Sequence, residues 1–429
     1  MFEVMMGVDI LKQKYLFAGV IAVLLVLVLV LPVQAAENYE YVTQWGSDGT
    51  GNGQFIRPFG VAVDSSGFVY VTDALNHRVQ KFDSGGKYIT QWGSYGSGNE
   101  EFKEPTGIAV DSSGFIYVVD TNNFRVQKFN TSGKYVTQWG SYGSGNGQFY
   151  NHQGIAVDSS GNVYVADTNN NRVQKFNTSG KYVTQWGSIG WSNGQFDLPI
   201  GIAIDSSGNV YVTDTDNNRI EKFDSGGTYI GQWGSYGSGD NKFIGTWGIA
   251  IDSSDFVYVT DVRNYRVQKF DTSGNYITQL GSYGSGDGQF NSQGFVAVDS
   301  SGNIYRVDMG NYRVEKFAKV KTTGSLAVTS DTDGAEIYLD GANTGQVTPY
   351  TFTDLESKDY QIVVKKQCYS DPSPLTAAVS VGGITAIDFP LESDGTCMSA
   401  PEFPSPAVPV TAAIGCVGVM IFFARRKNP

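Results

Sequence analysis

The sequence predicts an all-β protein, a six-bladed β-propeller followed by a small β-sandwich-like domain. The first observation is an internal repeat: Asp-Ser-Ser returns six times between Asp64 and Asp299, always at a spacing of 47 residues. A period of about 40 to 50 residues with four strand-like segments per unit is typical of propeller blades. The second is composition, since 53 glycines, 25 tyrosines and 25 phenylalanines among 429 residues favour short strands joined by tight turns.

Each unit contains four short segments that alternate or are rich in β-branched and aromatic residues. In the third unit these segments, strands a to d, are residues 154–157, 162–166, 172–176 and 182–186. Turn formers separate them, among them Asp158-Ser-Ser-Gly161. All six units resemble the NHL repeat family. The resemblance implies a six-bladed NHL β-propeller, which we place at residues 39–318.

The two ends of the repeat array predict how the ring closes. Tyr41-Val-Thr-Gln-Trp45 has the sequence of a strand d but no blade before it, and the last unit stops after its strand c at Phe317. We therefore expect the N-terminal strand to complete the sixth blade, which removes two exposed sheet edges.

A charged triplet, Asp-x-x-Asn-x-Arg, recurs in every unit. A binding site is usually single, whereas a structural device must occur in each blade, so we interpret the triplet as structural. We expect Asp and Asn to cap the turn between strands b and c, and Arg to pair with a neighbouring carboxylate. The six copies are Asp73, Asn76 and Arg78; Asp120, Asn123 and Arg125; Asp167, Asn170 and Arg172; Asp214, Asn217 and Arg219; Asp261, Asn264 and Arg266; and Asp308, Asn311 and Arg313.

Alternating strand direction places the a–b and c–d turns on one face and the b–c turns and d–a links on the other. The first face is nearly uniform, but the second, the variable face, differs from blade to blade. We hypothesise that it recognises a partner; neutral drift on exposed loops is the alternative. Its candidate residues are Arg57, Phe59, Glu104, His152, Trp247 and Arg263.

Arg306 departs from the repeat within a strand. It occupies the strand b position at which the other five units have valine, such as Val71 and Val118. An arginine among packing valines needs a carboxylate or access to the central channel. It is either a ligand contact or an adaptation of the closing blade.

A second module follows the repeats. Asp333-Gly-Ala335, Glu336-Ile-Tyr-Leu-Asp-Gly341 and Tyr360-Gln-Ile-Val-Val364 are similar to the PEGA domain, over residues 324–392. Thr332-Asp333 departs from the family's Pro-Glu. Cys368 and Cys397 either form a disulfide in an oxidising exterior or remain free thiols.

Both ends of the chain have the composition of targeting segments. The pattern of residues 1–35 predicts a secretory signal peptide, with an uncleaved anchor as the alternative. After a Pro-rich linker at 393–406, an apolar segment at 407–424 is long enough to span a bilayer, and a basic tail at 425–429 stays cytoplasmic.

The linker contains Pro401-Glu402-Phe403, and with the apolar segment and basic tail it resembles the PEF-CTERM sorting signal of archaeal surface proteins. The resemblance implies processing by an archaeosortase and attachment to a membrane lipid. A plain transmembrane anchor is the alternative, and either places the bulk of the chain outside the cell. Asn130 and Asn177, each in Asn-Thr-Ser, are glycosylation acceptors or simply turn residues.

Composition narrows the classes of function. A net charge of −12 argues against a nucleic-acid partner. Two histidines nearly exclude a three-histidine metal site, and no catalytic constellation or cofactor motif is readable. We therefore expect a cell-surface-anchored, non-catalytic binding, recognition or adhesion platform whose partner is an extracellular protein or glycan. An extracellular propeller lyase or hydrolase and a structural envelope component are the alternatives.

Overall fold

The computed structural model describes residues 38–320 and 323–395, which fall into two compact units. The first contains six four-stranded antiparallel sheets and the second contains two further sheets, so the predicted all-β class is confirmed. The chain divides near residue 320, where the repeats end.

The six sheets of the first unit are the blades, and we number their strands in chain order. Strand β1 is Tyr39–Trp45. The first blade contains β2 (Pro58–Val63), β3 (Val69–Asp73), β4 (Arg78–Phe82) and β5 (Tyr88–Trp92), and the second contains β6 (Pro105–Val110), β7 (Ile116–Asp120), β8 (Arg125–Phe129) and β9 (Tyr135–Trp139). The third contains β10 (Ile155–Val157), β11 (Val163–Asp167), β12 (Arg172–Phe176) and β13 (Tyr182–Trp186), and the fourth contains β14 (Pro199–Ile204), β15 (Val210–Asp214), β16 (Arg219–Phe223) and β17 (Tyr229–Trp233).

The fifth blade contains β18 (Thr246–Ile251), β19 (Val257–Asp261), β20 (Arg266–Phe270) and β21 (Tyr276–Leu280), and a short parallel pair follows, β22 (Ser282–Tyr283) and β23 (Gln289–Phe290). The sixth contains β24 (Val296–Val298), β25 (Ile304–Asp308) and β26 (Arg313–Lys319). Five b–c turns contain a single 3₁₀ turn, at Ala74–Asn76, Thr121–Asn123, Thr168–Asn170, Val262–Asn264 and Met309–Asn311.

Strand β1 closes the ring as the sequence predicts. It pairs antiparallel with β26, with Tyr41 opposite Phe317 and Trp45 opposite Val314, and it completes the sixth blade. The last blade is thereby built from both ends of the array, and the outer edge of β26 is covered.

The hydrophobic core of the propeller lies between adjacent blades. Tyr and Trp side chains of one blade, such as Tyr70 and Trp92, pack against isoleucines and valines of the next, such as Ile108. The strand d tryptophans add a second contact, because Trp139 lies beneath the c–d turn of the next blade, at Gly180. A Cβ at Gly180 would lie 2.5 Å from the Trp139 ring, so this turn position must be glycine.

The second unit folds as two sheets around its own core. Its strands are β27 (Thr323–Ser330), β28 (Glu336–Leu339), β29 (Ala342–Val347), β30 (Tyr350–Glu356), β31 (Asp359–Lys365), β32 (Leu375–Ala378) and β33 (Ile384–Phe389). One sheet has the order β30-β27-β33 and the other β29-β28-β31-β32. Alternate residues of β27, such as Leu326 and Val328, are fully buried with Ile337 and Ile362.

Several sequence predictions fall outside the described residues: the signal peptide, the 407–424 segment, the basic tail, Pro401, Glu402, Phe403 and Cys397. Cys368 is disulfide-bonded. Within 38–320 and 323–395 no helix is both long and apolar enough to cross a membrane.

Candidate functional site

The recurrent Asp-Asn-Arg triplet fastens each d–a link to its own blade. In the third blade Arg172 Nε donates to Asp167 Oδ2 at 2.7 Å, and Nη1 and Nη2 donate to the carbonyls of Ser144, Gly145 and Gln148 and to the Gln185 side chain. All five guanidinium N–H groups are used. Asn170 Nδ2 donates to Gly143 O, so the same link is held twice.

The expected capping role is wrong. Asp167 makes no capping hydrogen bond to a backbone N–H of the 3₁₀ turn that follows it, although its Oδ2 accepts the side-chain Nδ2 of Asn170 in that turn. Instead Oδ1 accepts the N–H of Tyr150, 17 residues upstream, so this oxygen holds the link and not the turn. Burial raises the pKa of Asp167, while the hydrogen bonds from Tyr150, Asn170 and Arg172 oppose that shift.

The mouth of the central channel is filled by apolar side chains on the variable face. Phe59 of the first blade packs against Phe295 of the sixth and Trp247 of the fifth, with ring centroids 5.6 and 6.1 Å apart. Ile200 of the fourth blade belongs to the same cluster. The prediction that Phe59 offers a ligand contact is wrong, because the side chain is buried in this apolar plug.

His152 is also buried, contrary to the prediction that it lies on an accessible face. Its ring stacks on Phe149 with centroids 4.3 Å apart, and Nε2 lies 3.0 Å from the carbonyl oxygen of Arg125. Burial lowers the pKa of His152 to about 4. The side chain is a neutral core group that fills the space at the start of the third blade.

Arg306 meets neither of the two conditions predicted for it, a carboxylate partner or access to the central channel. It is fully buried, its Cζ lies 3.9 Å above the Phe290 ring, and its guanidinium donates to the carbonyls of Val307 and Ser292. Burial lowers the pKa of Arg306 to about 10, although Asp308 and Glu315 act in the opposite direction. A ligand cannot reach it, so the structure favours the adaptation of the closing blade.

Arg57 and Glu104 lie on the variable face but engage each other. Arg57 Nη1 lies 3.0 Å from Glu104 Oε2, and both side chains are part-exposed. These two charges come from equivalent positions in adjacent blades. They form an ion pair across the first blade boundary and present no separate charge.

The remaining two candidates, Trp247 and Arg263, line one cavity between the fourth and fifth blades. The cavity measures about 250 Å³ and lies where the b–c turns of both blades meet the link between them. Its lining is Thr215, Asp216, Asn218, Tyr236, Ile244, Gly245, Trp247, Val262, Arg263 and Gln293.

Local hydrogen bonds fix the walls of this blade 4–5 pocket. Asn218 Oδ1 accepts the N–H of Gly245, and Asn218 Nδ2 donates to the carbonyl of Asp216. Trp247 is held through its carbonyl, which accepts the Thr213 hydroxyl at 2.8 Å. The pocket is therefore largely formed before any ligand arrives.

Asp216 is a charged residue of the pocket wall that was not among the binding residues predicted from the sequence. Partial burial raises its pKa, the nearby Asp197 carboxylate adds to that effect, and Arg263 opposes it. The sequence did distinguish Asp216, because it is the one acid at its repeat position. The other units have Leu75, Asn122, Asn169, Arg263 and Gly310 there. Three other polar lining residues, Thr215, Tyr236 and Gln293, were not distinguished in this way.

The other candidate positions have simple surroundings. Asn130 and Asn177 lie part-exposed in equivalent c–d turns, and each side-chain oxygen accepts backbone N–H groups of its own turn. In the part of the chain that the structure describes, no group of three or more His, Cys, Asp or Glu side chains is arranged to hold a metal ion.

Comparisons with known proteins agree with this fold. Five segments match the NHL repeat model, at residues 55–82, 102–129, 149–176, 196–223 and 246–270, and residues 323–385 match the PEGA domain. The sixth unit, which contains Phe295 and Arg306, is not among the matched segments. The protein lin-41 of Caenorhabditis elegans is 36% identical over 62 residues, which are 13% of this chain and 5% of that protein.

Solved structures resemble this chain at low sequence identity. A structural genomics protein of unknown function from Bacteroides thetaiotaomicron is 20% identical with a TM-score of 0.52, covering 66% of this chain and 76% of its own. Virginiamycin B lyase from Staphylococcus aureus is 14% identical with a TM-score of 0.46, covering 66% and 99%. The chain thus contains a six-bladed β-propeller with five segments that match the NHL repeat, followed by a β-rich domain with a segment that matches the PEGA domain.

Proposed function

We propose that the propeller is an extracellular recognition module, non-catalytic and anchored at the cell surface, that binds a protein or glycan partner on its variable face. The observation that carries this proposal is the blade 4–5 pocket, which differs from the equivalent place at every other blade boundary in its charges. Asp216 and Arg263 occur there together, at a position where three of the other four units have neutral side chains and the remaining one has glycine.

The apolar plug supports binding at the blade boundary rather than in the channel. Phe59, Phe295 and Trp247 occupy the channel mouth, so a partner meets the rim of the variable face and the pocket within it. Surface anchoring rests on the composition of the two chain ends alone.

The test is binding of the purified full chain to glycan and peptide arrays, followed by variants of the pocket. We expect Arg263→Ala to abolish most of the binding signal, while Asn169→Ala, at the equivalent turn position of the third blade, leaves it unchanged. Binding that survives Arg263→Ala and Trp247→Ala would place the site elsewhere. Turnover of an array component during the assay would favour the enzyme alternative.

A further inference from the structure

The blade 4–5 pocket is lined by two opposite charges, Asp216 and Arg263. Asp216 and Arg263 occupy equivalent positions in adjacent blades, and among the described residues no ion pair joins them. Arg57 and Glu104, also from equivalent positions in adjacent blades, do pair directly at 3.0 Å. Both residues line the pocket, so an acceptor and a donor border the same small volume.

A second observation points to a ligand. Thr215 lines the pocket, it is 6% exposed, and its Oγ1 has no hydrogen-bond partner. In the second blade the corresponding Thr121 hydroxyl bonds to the Thr106 hydroxyl and the His152 carbonyl. Ile200 replaces that hydroxyl partner in the fourth blade. A buried polar group without a partner is costly, and a ligand hydroxyl would remove that cost.

The composition of the lining selects the chemical class. Asp216 accepts, Arg263 donates, and Gln293 does both, while Trp247 and Tyr236 provide aromatic surface. A group with several hydroxyls and an apolar ring face can use all of these at once. The cavity of about 250 Å³ is below the size of most drug-like sites, which begin near ~300 Å³, and so suits one ring.

Charge argues against an anionic ligand. The chain carries a net charge of −12, and Asp216 already lies near a second carboxylate, Asp197. We propose that the blade 4–5 pocket binds one neutral sugar ring, whose hydroxyls bridge Asp216, Thr215 and Arg263 while its apolar face lies against Trp247. This rests on the proposed recognition function and assigns a glycan as the partner.

The experiment titrates the purified full chain with glucose, galactose, mannose and N-acetylglucosamine, using calorimetry and saturation-transfer NMR. Glucuronate tests an anionic ligand, and glycine and lysine test an amino acid. We expect at least one neutral sugar to bind, and Asp216→Ala and Thr215→Val each to weaken it about tenfold through loss of a hydrogen bond. Leu75 and Gly310 at the equivalent turn position indicate that Asp216→Ala folds.

Thr168→Val is the matched control. Thr168 is the same position in the third blade, is buried and also lacks a hydroxyl partner, but does not line the pocket, so its loss should leave sugar affinity unchanged. Equal affinity in the wild type, Asp216→Ala and Thr215→Val would overturn the assignment. Binding of glucuronate or an amino acid but no neutral sugar would overturn the ligand class. If no small probe binds while array binding still depends on Arg263, the proposed function stands and the sugar inference fails.

Discussion

At the scale of single residues, two glutamates occupy a position whose hydrogen bonds suit an amide side chain. Gln174 Nε2 donates to Gln148 O and Asp167 Oδ2, and its Oε1 accepts the N–H of Gly147. Glu221 and Glu315 stand at this position in the fourth and sixth blades. Each keeps the N–H contact through Oε1 but leaves Oε2 buried without a partner. A protonated Oε2 would donate as the amide does.

The pKa values give this arrangement a pH dependence. Burial raises the pKa of Glu221 and of Glu315 to about 7, although Arg219 and Arg313 act in the opposite direction. The folded state therefore binds these protons more tightly than the unfolded state does. The contribution of the two glutamates to the free energy of unfolding is greatest when both are protonated, and it falls as the pH rises from about 4.5 towards 7.

We therefore predict that Glu221→Gln stabilises the propeller at pH 8 by about 2 to 3 kcal/mol and has little effect near pH 4.5. Urea unfolding across that pH range measures it. The reverse change, Gln174→Glu, should introduce the same loss of stability with rising pH. A parallel stability profile for wild type and Glu221→Gln would show that the pKa of Glu221 is the same in the folded and unfolded states.

At the scale of elements, the turns show which features a repeat sequence can specify. Asp158-Ser-Ser-Gly161 and its copies form the predicted a–b turns, because Asp158 Oδ1 accepts local N–H groups and Gly161 adopts a positive φ of 81°. The triplet was predicted to act equally locally, and part of it does: Arg172 and Asn170 both contact Asp167, as the expected pairing of arginine with a carboxylate requires, but Asp167 does not cap the turn. The other contacts of the triplet reach 17 to 28 residues back along the chain, which no local pattern encodes.

Two turn glycines allow the cost of backbone strain to be measured separately from the cost of disturbing the packing between blades. Gly180 and Gly208 both have φ near +80°, but a Cβ at Gly180 meets the Trp139 ring at 2.5 Å and a Cβ at Gly208 meets nothing within 4 Å. We predict that Gly208→Ala costs about 1 kcal/mol, for the left-handed conformation alone. Gly180→Ala should cost about 1 to 3 kcal/mol more, for the overpacking. Equal costs in chemical denaturation would mean that Trp139 moves aside freely.

At the scale of the whole molecule, closure depends on contacts between blades that are distant in sequence. Strand β1 pairs with β26, and Phe59 contacts Trp247 and Phe295 from the opposite end of the repeat array. These contacts join the first blade to the last two. The sixth blade departs from the repeat at Phe295 and Arg306, where the ring closes.

We predict that Phe59→Ala lowers the free energy of unfolding by about 3 to 5 kcal/mol, because it leaves a cavity in the plug that joins these blades. Leu75→Ala, in the same blade but 43% exposed, should cost much less. Thermal and urea unfolding of the two variants measure the difference. Similar losses would show that the plug contributes no more than the surface does.

The sequence by itself determined the propeller, its six blades, its closing strand and the second β domain, because each follows from a period, an alternation or a local turn. It also separated the uniform face from the variable one. Only the tertiary structure decided which variable residues are accessible. Phe59, His152 and Arg306 are buried while Trp247 and Arg263 line a pocket. Burial depends on contacts that the repeat pattern does not encode, such as that of Phe59 with Trp247 of the fifth blade.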